Sequence, residues 1–338
     1  MDKRLQERGD DGMLTALIDP YQLQIASFIL INILLALSVY IPLSSGQLSL
    51  GSAGFMGIGA YTSALLTIQF DLPIFLGVLA GAAVAGLAGI IIGIPSLRLS
   101  GVFLAIATLG FGEVMRVVFI NWESLTKGAV GISGIPQIGR SILEFTKGIG
   151  FDPMVLGLRN NQFVYLVVFL ILLLITLVVV WFVHRQKTSR VGRAFASIQM
   201  DERAAEAMGI NLTYFKVLSF AQGALLAGFA GALFAHVMGY ISPSDFAYHR
   251  AVEILIFTVF GGSEVILGSI FGAIFLTWLP ELLRFISEYR YIIYGILLVV
   301  IMAVRPQGII DAHLIQKFKR KKTVKGEGVH GSRNKEHF

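Results

Sequence analysis

Eight apolar blocks constrain this chain more than any other feature, at 22–43, 46–69, 73–94, 100–119, 163–183, 214–238, 251–280 and 289–304. A helix needs about 20 apolar residues to cross the hydrocarbon core of a bilayer, and most of the blocks are of that order. The block 163–183, FVYLVVFLILLLITLVVVWFV, is apolar on every side, as a helix facing lipid would be. The whole chain is 55% hydrophobic and 14% charged, where soluble proteins carry about 25% charged residues. Such a chain cannot cover itself with polar surface, so lipid must solvate much of it. The expected fold class is an all-α polytopic membrane protein, with about eight to ten transmembrane or re-entrant helices.

Charge gives the blocks a direction. The formal net charge is +6, and the excess sits in two places, the insert HRQKTSRVGR at 184–193 and the tail KFKRKK at 317–322. Basic clusters beside membrane spans mark the cytoplasmic side, so the pattern reads as positive-inside bias and not as a nucleic-acid footprint. Insert and tail on one side require an even number of crossings between them, yet three blocks intervene. The block 251–280 is therefore expected to be a hairpin or re-entrant pair, broken at FGGSEVILG (260–268). Broken backbone at membrane depth is tolerated only against protein or a water-filled cavity.

The connection 120–162 should be external, and the segment 184–213 a cytoplasmic loop within a membrane domain spanning 21–310. Within that loop, Phe195 to Met208 reads as one short helix with Ile198, Ala205 and Met208 near one face. Arg98 suggests a cytoplasmic turn, and a simple count from it puts the N-terminus outside. A break in the second block, SSGQLSLGSAGFMGIGA (44–60), would reverse that assignment. Residues 1–20 form a polar segment with no cleavable signal pattern. The basic tail 311–338 lacks apolar periodicity and is expected to be disordered.

Chemistry is sparse. The chain has no cysteine, which excludes disulfides and thiolate metal sites. Its six histidines do not pair with carboxylates at metal spacing on any apolar span, and there is no GxxxxGK[ST] phosphate loop. No catalytic residue, metal or cofactor is expected, and the chain is not read as an enzyme. Glycines 46, 51, 54, 57 and 59 have two readings. They allow tight helix packing, the commoner use, or they let backbone unwind beside a solute pathway lined by Gln47, Ser49 and Ser52. Glu113 and Arg116 stand one helical turn apart and can pair structurally, with pathway lining as the alternative. Glu264, beside Gly261 and Gly262 at the proposed break, reads as a helix cap first and a gate element second. Glu253 flanks the same block, His236 reads as a polar residue near an interface, and Arg305 as a snorkelling residue.

Five stretches carry a resemblance: GQLSLGSAGFMGIGAYTSALL (46–66), TKGAVGISGIP (126–136), VGRAFASIQMDERAAEAMGINLTYFKVLSFAQGALLAGFAGALFAH (191–236), YISPSDFAYHRAVEILIFTVFGGSEVILGSIFGAIFLTWLPELLR (240–284) and YGILLVVIMAVRPQGII (294–310). They resemble, in order and spacing, the branched-chain amino acid ABC transporter permeases, in their LivM-type branch. Lys127 stands where the family usually has glycine.

The resemblance implies a non-catalytic permease subunit in a bacterial or archaeal cytoplasmic (inner) membrane, working by alternating access. Its implied partners are a LivH-like second permease, two cytosolic ABC ATPase subunits, an extracytoplasmic amino-acid-binding protein and the lipid bilayer, with no nucleic acid. The family's E-A-A-x-x-x-G loop aligns with Arg203, Ala204, Ala205 and Gly209, with the expected glutamate displaced to Glu202. Asp201 and these residues would then contact the ATPase, Ala204 and Ala205 sinking into a groove. Gly209 would end the helix, and Asn211 or Thr213 would cap the next. A solvated connector helix is the bland alternative. A urea or short-amide permease of the same family, and an ion-coupled secondary transporter, remain as other readings.

Overall fold

The computed structural model describes residues 19–148 and 159–283, together with single positions 293, 295, 296, 299 and 309. The expectations for residues 1–18, for most of the last block with Arg305 and for the tail lie outside these residues. In chain order the helices are α1 (Pro20–Leu43), α2 (Ser52–Gln69), α3 (Ile74–Ser96), α4 (Val102–Asn121), α5 (Glu123–Thr126), α6 (Ile138–Gly148), α7 (Asn160–Thr188), α8 (Arg190–Met200), α9 (Glu202–Ala207), α10 (Leu212–Met238), α11 (Tyr248–Gly261) and α12 (Ile266–Leu282). Two-residue strands β1 (Ile132–Ser133) and β2 (Tyr240–Ile241) pair antiparallel. The chain is an all-α polytopic membrane protein. Among the described residues, α1, α3, α4, α7 and α10 are long and apolar enough to cross a membrane.

The bundle is built around α10, which packs on α1, α2 and α3. The contact is close because glycines meet there. A Cβ on Gly59 would collide with the backbone of Gly228, one on Gly81 with the Gly59 carbonyl, and one on Gly228 with Ala85. Without water to drive apolar association, helices in lipid gain from such close backbone packing. α1 is also apolar along its length, but protein surrounds it, and the run from Leu30 to Pro42 is wholly buried. α7 is the opposite case. Leu170, Leu174, Leu177, Val178, Trp181 and Phe182 are exposed on it, as a lipid-facing helix requires.

The direction of each helix follows from its neighbours. Phe28 lies 6.3 Å from Phe234 and Ser45 2.7 Å from Ser219, so α1 runs antiparallel to α10. α2 runs parallel to α10, with Phe55 at Phe220 and Ser63 at His236. The second block does not fold back. Its glycine-rich start is a non-helical segment, 44–51, that leads into α2. Five passages, α1, α2, α3, α4 and α7, therefore separate Pro20 from the basic insert. The start of α1 sits at the end of the bundle opposite that insert. We call these the far end and the basic end.

The block 251–280 breaks as its glycines suggest. α11 and α12 form a hairpin whose tip, Gly262 to Val265, lies at the basic end. Gly262 has φ +121°, a conformation only glycine adopts readily. The connection 120–162 carries α5, a 3-10 turn (Gly128–Val130), β1 and α6 before residue 149.

Candidate functional site

At the basic end the insert is two helices, not one. Asp201 breaks the expected run Phe195–Met208 because its carboxylate accepts hydrogen bonds from the Arg203 and Ala204 N–H groups (2.8 and 3.1 Å). A short acid that can bond the next turn's donors favours an N-cap over a helix interior. Ser189 caps α8 in the same way, and Asn211 caps α10 through the Tyr214 N–H at 3.0 Å. Thr213 lies inside α10 and is not the cap. α9 ends in a Schellman turn, with Gly209 N–H donating to the Glu206 carbonyl and Ile210 N–H to the Ala205 carbonyl (2.9 and 3.1 Å). Gly209 takes φ +83° there.

The kink at Asp201 changes which side chains face out. Ala194, Phe195, Ile198 and Ala205 are buried, while Ala204 is exposed. Met208, expected beside Ile198, is 83% exposed, and Met200 is 88% exposed. Glu202 is not free either. Its carboxylate lies 2.6 Å from Lys216 Nζ on α10, and Phe195 meets Phe215 edge to face at 6.3 Å. The helix pair is thereby fastened to α10 while two methionines project from it. The sequence pattern set Met208 on the face of Ile198 and marked neither Met200 nor Lys216.

A second polar locus lies within the bundle. α11 does not start at the far end. Arg250, in its first turn, donates to the Asn32 side-chain oxygen at 2.6 Å, and Asn32 is the thirteenth residue of the 24-residue α1. The chain reaches this depth through β2 and a 3-10 turn (Pro243–Phe246), with Ser242 and Asp245 bonding reciprocally as a capping box. Glu113 of α4 accepts the Tyr248 N–H at 2.7 Å and pairs with Arg116 Nε at 2.8 Å. It thus caps α11 from another helix. Phe246 packs into an aromatic cluster with Phe119 and Tyr61. The S-P-S-D run at 242–245 was the available signal for a helix start here.

Residues 21–302 match the family described as the branched-chain amino acid transport system / permease component. The chain belongs to this family. It is 34% identical over 318 residues, covering 90% of this chain and 73% of the relative, to the high-affinity branched-chain amino acid transport system permease protein LivM of Salmonella typhimurium, with the same values for that of Escherichia coli. It is 25% identical over 205 residues, 60% of this chain and 63% of the relative, to LivH of Salmonella typhimurium. It is also 24% identical over 261 residues, 75% of this chain and 68% of the relative, to the autoinducer 2 import system permease protein LsrC of an Enterobacter strain. No solved structure matches it.

The pathway candidates of this permease fall into separate places. Gln47 is buried and accepts from Ser219 at 2.8 Å, bonding the 44–51 segment to α10. Ser49 accepts the Gly51 N–H at 3.2 Å. Ser52, at the first turn of α2, keeps a buried hydroxyl with no partner among the described residues. Gly51 precedes α2, and Gly54 lies against α4, where a Cβ would come 2.9 Å from Gly112 Cα. Gly261 abuts Gly268 and Gly272 inside the α11–α12 hairpin. Glu264 does not cap α12 with its side chain. The cap position is Val265, and Glu264 instead offers its backbone carbonyl to Lys187 Nζ at 2.6 Å. His236 is fully buried near the end of α10, holding Ser63 and the Pro136 carbonyl, each at 2.8 Å. Lys187 was likewise missed, as one more cation in a basic run.

Proposed function

We propose that this permease is one membrane-spanning subunit of a multi-subunit importer for branched-chain amino acids, in the cytoplasmic membrane of a bacterium. The relatives named above are bacterial, which gives the archaeal option no support. ATP hydrolysis belongs to separate ATPase subunits, a LivH-like permease completes the pathway, and an extracytoplasmic binding protein delivers the amino acid at the far end. The mechanism is alternating access, driven through α8 and α9.

The observation that carries this reading is the pair of exposed methionines on a helix pair bolted to α10. A solvated connector would present polar residues outward. Met200 and Met208 are flexible, polarizable side chains suited to a protein contact, and they stand beside exposed Arg203 and Glu206. The Glu202–Lys216 pair and the Schellman turn then pass any displacement of α9 to α10. Gly209→Pro cannot adopt φ +83°, since proline fixes φ near −65°. Glu202→Lys sets two ammonium groups against each other. Both variants should insert normally and lose ATP-driven uptake of leucine in vesicles reconstituted with the full transporter. Unaltered uptake by both would defeat the coupling role. Uptake driven by a proton gradient without ATPase subunits would instead support ion coupling.

A further inference from the structure

The flank between α4 and α11 has a polarity that lipid cannot solvate. Glu113 lies eight residues before Asn121 at the end of α4, about 12 Å from the far end at 1.5 Å per residue. Arg250 meets Asn32 at about 18 Å along an α1 of about 36 Å. Over this depth Ser244, Tyr248 and His249 are exposed, Tyr248 by 60%. The Glu113 and Arg116 side chains are 29% and 31% exposed. A charged side chain in mid-membrane costs about 2.5–3.5 kcal/mol on insertion scales, and non-helical backbone there must face protein or water.

Arg116 adds a specific chemistry. Its Nε holds Glu113 Oε2 at 2.8 Å, while its two terminal nitrogens make no hydrogen bond among the described residues. Those nitrogens can take a carboxylate side by side. The Glu113 carboxylate beside them still has lone pairs for an ammonium group. A positive and a negative group thus stand side by side, as they do in a zwitterion. Behind the flank, Tyr61 packs on Phe119 and Phe246, and its buried hydroxyl has no hydrogen-bond partner among the described residues.

Building on the importer reading, we propose that this flank is the water-lined wall of the amino-acid pathway, with Arg116 meeting the solute's carboxylate and Glu113 its ammonium group. The second permease closes the other side. The chain has no cysteine, so single-cysteine variants test the wall directly in the complete transporter in vesicles. A membrane-impermeant maleimide should label His249→Cys and Tyr248→Cys much faster than Leu174→Cys on the lipid-facing side of α7, and saturating leucine should slow the reaction. Rates no greater than at position 174 would overturn the proposal.

A kinetic arm tests the charges. Arg116→Gln should raise the KM for leucine uptake by about tenfold or more, with Arg116→Lys intermediate. Glu113→Gln keeps an oxygen for the Tyr248 N–H, so a raised KM there reports the lost charge. An unchanged KM in both neutral variants would overturn the zwitterion contact. If a variant fails to assemble, the labelling result decides alone. Absence of leucine uptake by the unaltered transporter would instead defeat the importer reading, whatever the labelling shows.

Discussion

Lys127 shows how a single residue can depart from its family without leaving the fold. It holds φ +61° between α5 and the following 3-10 turn, where an L-residue with a Cβ is strained and glycine is not. The glycine that the resemblance leads one to expect at that point would thereby have a physical cause. Lys127→Gly should stabilise the protein by about 0.5–1 kcal/mol, the strain relieved exceeding the entropy lost, readable as a raised unfolding midpoint in detergent. An unchanged or lowered midpoint would show that the lysine side chain supplies an offsetting contact. Glu113 is the converse lesson. Its pairing with Arg116 was legible from their spacing, but its capping of α11 was not, because that contact joins residues 135 positions apart.

Elements were legible where composition alone decides them. The run 163–183 could only be a lipid-facing helix or a buried one, and α1 shows that the sequence cannot choose between these, since both are apolar all round. The break at Gly261–Gly262 was visible because glycines, Ser263 and Glu264 interrupt an apolar run. The division of 195–208 into α8 and α9 was not read, since Asp201 was placed inside one helix, among the residues of the ATPase contact, when it is a cap. The depth at which α11 starts was also hidden, being set by Arg250 reaching Asn32. Packing at the glycine contact of α2, α3 and α10 gives a test at this scale. Gly228→Val would force its branched side chain into Ala85 and the backbones around Gly81 and Phe55. Overpacking of this kind costs about 1–3 kcal/mol or more, and the variant should yield markedly less folded protein by size-exclusion profile. Normal yield would mean that the helices separate more easily than their contacts suggest.

At the scale of the molecule, five passages between Pro20 and Thr188 put the start of α1 and the basic insert at opposite ends. By the positive-inside bias, we expect the insert in the cytoplasm and the start of α1 outside. A cysteine at position 19 should react with an impermeant reagent in intact cells, and one at position 190 only after the membrane is opened. The reverse pattern would invert the topology and remove any contact between α8–α9 and a cytosolic motor.

The same rod that starts at Asn211 ends at Gly239 and runs straight into β2, which is stitched to β1 of the connection 120–162. In the importer proposed above, both doors of the passage would hang on this one beam. On that reading, pressing its tip at the basic end would swing its far tip the other way about whatever point the crowded glycines hold fixed, as on a seesaw. Opening on one face and sealing on the other would then need no message relayed between them.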